Sequence, residues 1–257
     1  MVTVWAIATN KGGIGKTTLT VNLGAALADT GQRILLIDLD KQGHTGLHLG
    51  HAREHVLRDT SLVAVVEKRP IAELAQSTSF PNLDLLPMHP DMVSLEPQLG
   101  NLRLYWLHRA LQQIPAERYN IVLLDTPPTG NLLTAALIGA SRLLVPIIPE
   151  PLALEGLGDI LATVQDVRET LNAGPERIYL IINRWRAQTK LARSIHETLG
   201  ELELPATIMT TRIGIDITLP EASGAQQPVS YYRPRSRAAR EFKALAQELL
   251  QSEGKYE

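Results

Sequence analysis

A doubly wound α/β fold with a mostly parallel sheet is what this sequence predicts, and two observations predict it. Short apolar runs of strand length recur along the 257 residues, and several are separated by longer segments of helical period. The first run is followed at once by a glycine-rich turn and an apolar stripe at helical spacing, which reads as strand, loop, helix.

The elements follow in order. Residues 2–8 (VTVWAIA) form a β-branched run, NKGGIGKTT is the turn, and LTVNLGAALADTG is the helical stripe, with Gly31 as its stop signal. RILLID (33–38) is an apolar run with one charge at each end, as expected of a strand buried on both faces. Comparable runs are LDLLP (83–87), NIVLLD (120–125), RLLVPIIP (142–149), RIYLII (177–182) and PATIMT (205–210). Helical periods cover 92–113, 153–172 and 188–200, and a last helix spans 235–253. The polar, glycine-punctuated segment 41–60 reads as a loop followed by short helices.

Composition narrows the function classes. Apolar residues make up 44% and charged residues 20%, ordinary globular values. No composition break, linker or internal repeat divides the chain, so residues 1–257 are expected to form a single domain. No apolar run approaches the roughly 18 residues of a membrane span, and the N-terminus lacks a secretory pattern, so a cytoplasmic protein is expected. The absence of cysteine excludes disulfides, thiol catalysis, thiolate zinc sites and cysteine-ligated iron–sulfur clusters. Net charge is −2, yet residues 184–193 and 233–243 each carry +4, so a basic face for an electrostatic partner stays open.

Chemistry concentrates at three places. Lys11-Gly12-Gly13-Ile14-Gly15-Lys16-Thr17-Thr18 lies between strand and helix, the context of a phosphate-binding loop, although Asn10 stands where the general pattern has glycine. Glycines let backbone N–H groups turn toward phosphate oxygens, the helix N-terminus adds partial positive charge, Lys16 reaches the β- and γ-phosphates, and Thr17 ligates Mg2+. Lys11 is an additional cation at the loop entrance, badly placed for a phosphate that its own loop encloses and better placed for a neighbour's. Asp38 and Asp40 follow the second strand, and Asp125 ends the run IVLLD, where a carboxylate would meet a ligand at the edge of an open sheet and hold a Mg2+ water.

Together these segments resemble the deviant Walker A ATPases of the ParA/MinD type, whose signature is KGGxGKT[T/S], and the resemblance runs over nearly the whole chain. It implies an ATP- and Mg2+-dependent ATPase that forms a nucleotide-sandwich homodimer, with Lys11 crossing to the other subunit's nucleotide. Asp38-Leu39-Asp40-Lys41-Gln42-Gly43 resembles the family's D-x-D-P-Q-G, with Lys41 in place of proline. By that match Asp40 orients the attacking water and Asp38 lies near Mg2+. Asp125-Thr126-Pro127-Pro128 resembles the Walker B continuation. Pro149-Glu150-Pro151 with residues 152–156 resembles a dimer-interface segment, Asn183 a base-contacting residue, and Pro220-Glu221-Ala222 a late loop over the adenine. ParA-type dimers bind DNA without sequence preference through basic residues of the C-terminal half. That implies such a role for some of Arg184, Arg186, Lys190, Arg193, Arg233, Arg235 and Arg237, with salt-sensitive binding. The implied partners are nucleoid DNA and a ParB-like or cargo-adaptor activator, and the implied task is segregation or positioning of a plasmid, chromosome or protein organelle such as a carboxysome.

A MinD-like membrane anchor would use the stripe Phe242, Leu245, Leu249 and Leu250, but the polar end 252–257 does not suit an interfacial helix, and packing on the domain is expected instead. His44, His48, His51 and His55 repeat at helical spacing, but Gly46 and Gly50 interrupt the helix, so a solvated surface is expected rather than a metal site. Trp185, between two arginines, is the tryptophan placed to face a partner. A ligase of the same fold, a nucleotide-switched assembly factor, or a scaffold in which Lys41 displaces Asp40 remain the alternatives.

Overall fold

The computed structural model describes residues 2–51, 60–61, 64, 69–88, 100–186 and 188–254. Its centre is an eight-stranded sheet in the order β3-β4-β2-β5-β1-β6-β7-β8. The strands are β1 (Thr3–Ile7), β2 (Ile34–Asp38), β3 (Gln76–Ser77), β4 (Leu83–Leu86), β5 (Ile121–Asp125), β6 (Arg142–Ile147), β7 (Arg177–Ile182) and β8 (Thr207–Ile208). All pairings are parallel except β3 with β4, which is antiparallel. Both sheet edges are strands of only two residues.

The helices, in chain order, are α1 (Lys16–Ala28), α2 (His44–His48), α3 (Ile71–Leu74), α4 (Gly100–Gln112), α5 (Asn131–Gly139), α6 (Ala153–Leu171), α7 (Lys190–Glu201), α8 (Thr218–Gly224), α9 (Val229–Tyr232) and α10 (Arg237–Gly254). The expected strands lie where the apolar runs stand, but PATIMT contributes only Thr207 and Ile208. The period over 92–113 corresponds to α4, with 92–99 outside the described residues. α1 stops at Ala28, and the turn closes where the Gly31 N–H donates to the Ala28 carbonyl at 2.9 Å with Gly31 at φ 91°.

Alternation along each strand divides the core in two. Ala6, Ala8, Leu35, Ile37, Val122, Leu124, Leu143 and Val145 face one side, with the apolar stripes of α4, α5, α6 and α7 packed on them. Trp5, Ile7, Ile34, Leu36, Ile121, Leu123, Leu144 and Ile181 face the other, beneath α1 and α10. α1 approaches closely because residue 24 is glycine: a Cβ there would sit 2.7 Å from Leu36 Cδ2. In α10, Phe242, Leu245 and Leu249 are buried in that core and Leu250 packs against it, so the stripe is used up within the chain. Its far end is tied to the sheet through Glu253, which accepts hydrogen bonds from Arg142 Nε at 2.8 Å and the Tyr179 hydroxyl at 2.6 Å. Among the described residues no helix is long and apolar enough to cross a membrane.

This topology positions the site. β1 lies between β5 and β6, so the chain leaves it first to one side and later to the other, and a crevice opens at the C-terminal ends of the central strands. The loop 8–15 leaves β1 at that crevice, with the ends of β2 and β5 beside it.

Candidate functional site: a phosphate cradle over two buried carboxylates

The loop after β1 turns on two glycines, Gly13 at φ 73° and Gly15 at φ 89°. Gly15 is the N-cap of α1 and has no side-chain cap, so the first N–H groups of the helix keep their capacity for an anion. A Cβ at Gly15 would lie 2.9 Å from Asn183 Nδ2, which closes the position to any other residue twice over. Lys16, 7% exposed, donates to the Lys11 carbonyl at 3.3 Å. Burial lowers its pKa, while Asp125 and Asp40 act in the opposite sense.

Beneath the lysine lie Asp38 and Asp125, register partners at the ends of β2 and β5 and both fully buried. Asp38 accepts from the Asp40 N–H at 3.0 Å and the Thr45 N–H at 3.1 Å. Asp125 accepts from the Thr45 hydroxyl at 2.8 Å and the Thr20 hydroxyl at 3.4 Å, and bonds with the Thr17 side chain. Burial, then the Asp125 charge, raises the Asp38 pKa well above the carboxylate range. Burial pushes Asp125 up to about 6 against the hydroxyls of Thr17 and Thr45. Carboxylates with adjacent threonine hydroxyls are a hard oxygen donor set of the kind Mg2+ takes, so the residues present fit that ion.

The pair has a measurable cost. Raised pKa values mean that the native state binds protons the unfolded chain has released, so this contribution to stability is complete below about pH 4 and lost as pH rises through about 6. Without nucleotide or Mg2+, the pair should lower unfolding free energy by about 1–3 kcal/mol between pH 4 and 7.5. Asp125→Asn should remove much of that slope and be the more stable protein at pH 7.5, as urea melts at both pH values would show. Equal slopes in the two proteins would mean that the carboxylates are not strained by burial.

Asp40 borders a cavity of about 480 Å3 together with Gly12, Gly13, Lys16, Thr17, Lys41 and Pro128. Its turn holds without proline: the Gln42 N–H donates to Asp40 Oδ1 at 3.0 Å and the Gly43 N–H to the Asp40 carbonyl at 2.9 Å. Lys41 is exposed beside it and has not displaced it from the cavity. Lys11 does not line this cavity. Its ammonium donates to the Leu152 carbonyl and its chain lies against Gly156, where a Cβ would meet Lys11 Cε at 2.9 Å.

A second cavity, about 630 Å3, is bounded by Asn183, Gly214, Asp216, Ile217, Leu219 and Pro220 among others. The Asn183 amide is engaged within the chain, donating to the Ile14 carbonyl at 2.7 Å and accepting from the Arg184 N–H at 2.9 Å, so it braces β7 to the loop. Pro220 stands in α8 rather than in a loop. The basic residues diverge in setting. All six of Arg186, Lys190, Arg193, Arg233, Arg235 and Arg237 are exposed; Arg233 pairs with Glu221 at 3.6 Å, and Arg237 with Asp216 at 3.7 Å and Glu241 at 3.5 Å. The two stretches meet at residues 213–216, since the Trp185 N–H donates to the Ile213 carbonyl and Arg237 to that of Ile215. Trp185 is half-buried, with the Arg212 guanidinium 4.4 Å from its ring centre. Of the four histidines, His55 lies outside the described residues, and no cluster of three metal-ligating side chains occurs among the described residues.

Thr20 and Thr45 are site residues that the motifs do not announce, and His48, expected on a solvated surface, stands half-buried at both cavities. Thr20 is four residues after Lys16, hence one turn along the same helix, which was a usable signal. Thr45 had none, because α2, which carries it, comes from a glycine-punctuated segment and its partner Asp125 lies on β5.

A glycine-lined anion cradle at the first helix of a parallel sheet, with a buried lysine over two carboxylates, defines a P-loop nucleoside triphosphatase. A family model described as an AAA domain (AAA_31) matches residues 2–175. The chain is 34% identical over 260 residues to the chromosome partitioning protein ParA of Caulobacter vibrioides, covering 97% of this chain and 94% of that one. It is 35% identical over 245 residues to the cell division protein PomZ of Myxococcus xanthus, covering 93% and 75%. The cobyrinic acid a,c-diamide synthase of Mycobacterium smegmatis, solved with bound ADP and magnesium, has TM-score 0.80 at 27% identity, over 98% of this chain and 95% of that one. The chain belongs to the ParA/MinD family of partition ATPases and uses ATP and Mg2+.

Proposed function

We propose that this chain is a nucleotide-switched positioning ATPase whose ATP-bound dimer binds DNA without sequence preference and is released when a partner protein stimulates hydrolysis. The observation that carries the reading is the place of Lys11: a cation of the phosphate-loop motif whose side chain lies outside its own phosphate cavity. From there it is available to the nucleotide of a second copy, as a charge supplied in trans. Ile215 and Ile217, 44% and 72% accessible, line the second cavity, and Leu152, 60% accessible, is the residue that Lys11 meets; their exposure favours a second copy as the cover.

In this reading the N–H groups of residues 12–18 and the Lys16 ammonium hold the phosphates. Asp40, at the rim of the cavity, accepts a hydrogen bond from the attacking water and orients it. Thr17, Asp38 and Asp125 hold Mg2+, which when bound neutralises phosphate charge and relieves the two buried carboxylates. Residues 1–257 act as one domain, cytoplasmic and nucleoid-associated, with Arg186, Lys190, Arg193, Arg233, Arg235 and Arg237 as the basic candidates. Arg233 and Arg237, though exposed as well, bring carboxylates with them, so Arg186, Lys190 and Arg235 are favoured for DNA. The activator is ParB-like or a cargo adaptor, and the cargo is a plasmid, a chromosome or a protein organelle such as a carboxysome.

The test is binding to random-sequence duplex DNA with ADP or a non-hydrolysable ATP analogue across a salt series. Binding with the analogue only, weakening about tenfold or more between 50 and 200 mM salt, is expected. Dimerisation without DNA binding would instead favour an assembly factor.

A further inference from the structure

Four residues border both cavities of the site: Gly15, Thr18, His48 and Arg184. They mark the neck between the phosphate cradle and the apolar pocket beyond Asn183. In a nucleotide laid from one to the other, the section in that neck is the ribose and the α-phosphate.

Arg184 is held there under strain. Its φ is 50°, a left-handed backbone that non-glycine residues adopt at a cost and that clusters at ligand sites. The conformation is fixed from the loop itself: the Arg184 N–H donates to Asn183 Oδ1, and Asn183 Nδ2 to the Ile14 carbonyl. Unlike Arg233 and Arg237, its guanidinium has no carboxylate partner among the described residues, and it remains exposed. His48 arrives from α2, half-buried beside the same neck.

We propose that Arg184 and His48 are nucleotide-binding residues that close on the ribose and α-phosphate, Arg184 by a charge-assisted bond to the phosphate and His48 by a hydrogen bond to the sugar. This separates Arg184 from the basic residues that face DNA, with which the sequence groups it. The inference rests on the nucleotide-binding reading of the two cavities. A diphosphate and a triphosphate share the gripped section, so both are held alike, and the grip does not wait for a second copy.

The test measures ADP affinity by calorimetry in the wild type, Arg184→Gly, Arg184→Lys and His48→Ala, with DNA binding read separately at saturating ATP analogue. Glycine suits φ 50°, so Arg184→Gly is expected to keep its melting temperature while ADP affinity falls about tenfold or more. Arg184→Lys should recover part of the loss, and His48→Ala should weaken ADP about threefold to tenfold. DNA affinity at saturating nucleotide should stay within about twofold in all three variants. Unchanged ADP affinity in Arg184→Gly with loss of DNA binding would overturn the proposal and return Arg184 to the DNA surface. Unchanged ADP affinity in His48→Ala would remove the histidine from it. Failure of the wild type to bind ADP would instead overturn the nucleotide-binding reading on which it rests.

Discussion

Lys16→Ala is expected to weaken ADP and ATP binding by at least about a hundredfold and to abolish turnover. Two effects combine. The ammonium is lost from the centre of the cradle, where bonds between ionised groups are about twice as strong as neutral ones. Phosphates must then enter a site in which Asp125 and Asp40 have lost the cation that interacts with both. The fold is expected to hold, because among the described residues the side chain's one hydrogen bond is to the Lys11 carbonyl and the apolar face of α1 is untouched. Calorimetric titration with ADP reads the effect directly, and an affinity within threefold of wild type would remove Lys16 from the phosphate site.

Asp40→Asn is expected to leave ADP affinity within a few-fold while lowering hydrolysis by at least about a hundredfold. The carboxylate does two separable things. Its Oδ1 accepts the Gln42 N–H and so holds the turn, which an amide oxygen does equally well. Its charge at the cavity rim is what a water-orienting group needs, and the amide lacks it. Asp40→Ala removes both. Single-turnover hydrolysis of the two variants therefore separates chemistry from architecture: loss in both assigns Asp40 to the water, while loss in alanine alone makes it a turn residue. In the first case the variants should also accumulate as ATP-bound dimers, visible by light scattering.

The ease of reading this chain varied with the range of the interaction. IVLLD and RIYLII are legible because a strand buried on both faces must be apolar at every position. Asn131–Gly139 buries Leu132, Leu133 and the run 135–138, which leaves a narrow polar face and a weak helical period. Gln76–Ser77 is a strand only because Leu85 and Asp84 lie opposite it, and nothing in a two-residue polar run announces that. The site divides in the same way. Gly13, Gly15 and Lys16 are local, set by one turn and one helix start. The raised pKa of Asp125 comes from its burial, and its hydroxyl partner Thr45 lies eighty positions away. Arg184 shows the limit of reading charge by count. The sequence places it in a basic stretch, whereas its left-handed backbone, bonded to Asn183 Oδ1, sets it at the neck between the two cavities.

The two-residue strands that finish the sheet, Gln76–Ser77 and Thr207–Ile208, bear on how copies of this chain can meet. A long open edge recruits strands from other molecules indiscriminately, and a protein that crowds onto a shared template would then gel by backbone pairing. Here each rim exposes too little main chain to template a neighbour. Encounters between copies are left to side chains and to the loops at the strand ends.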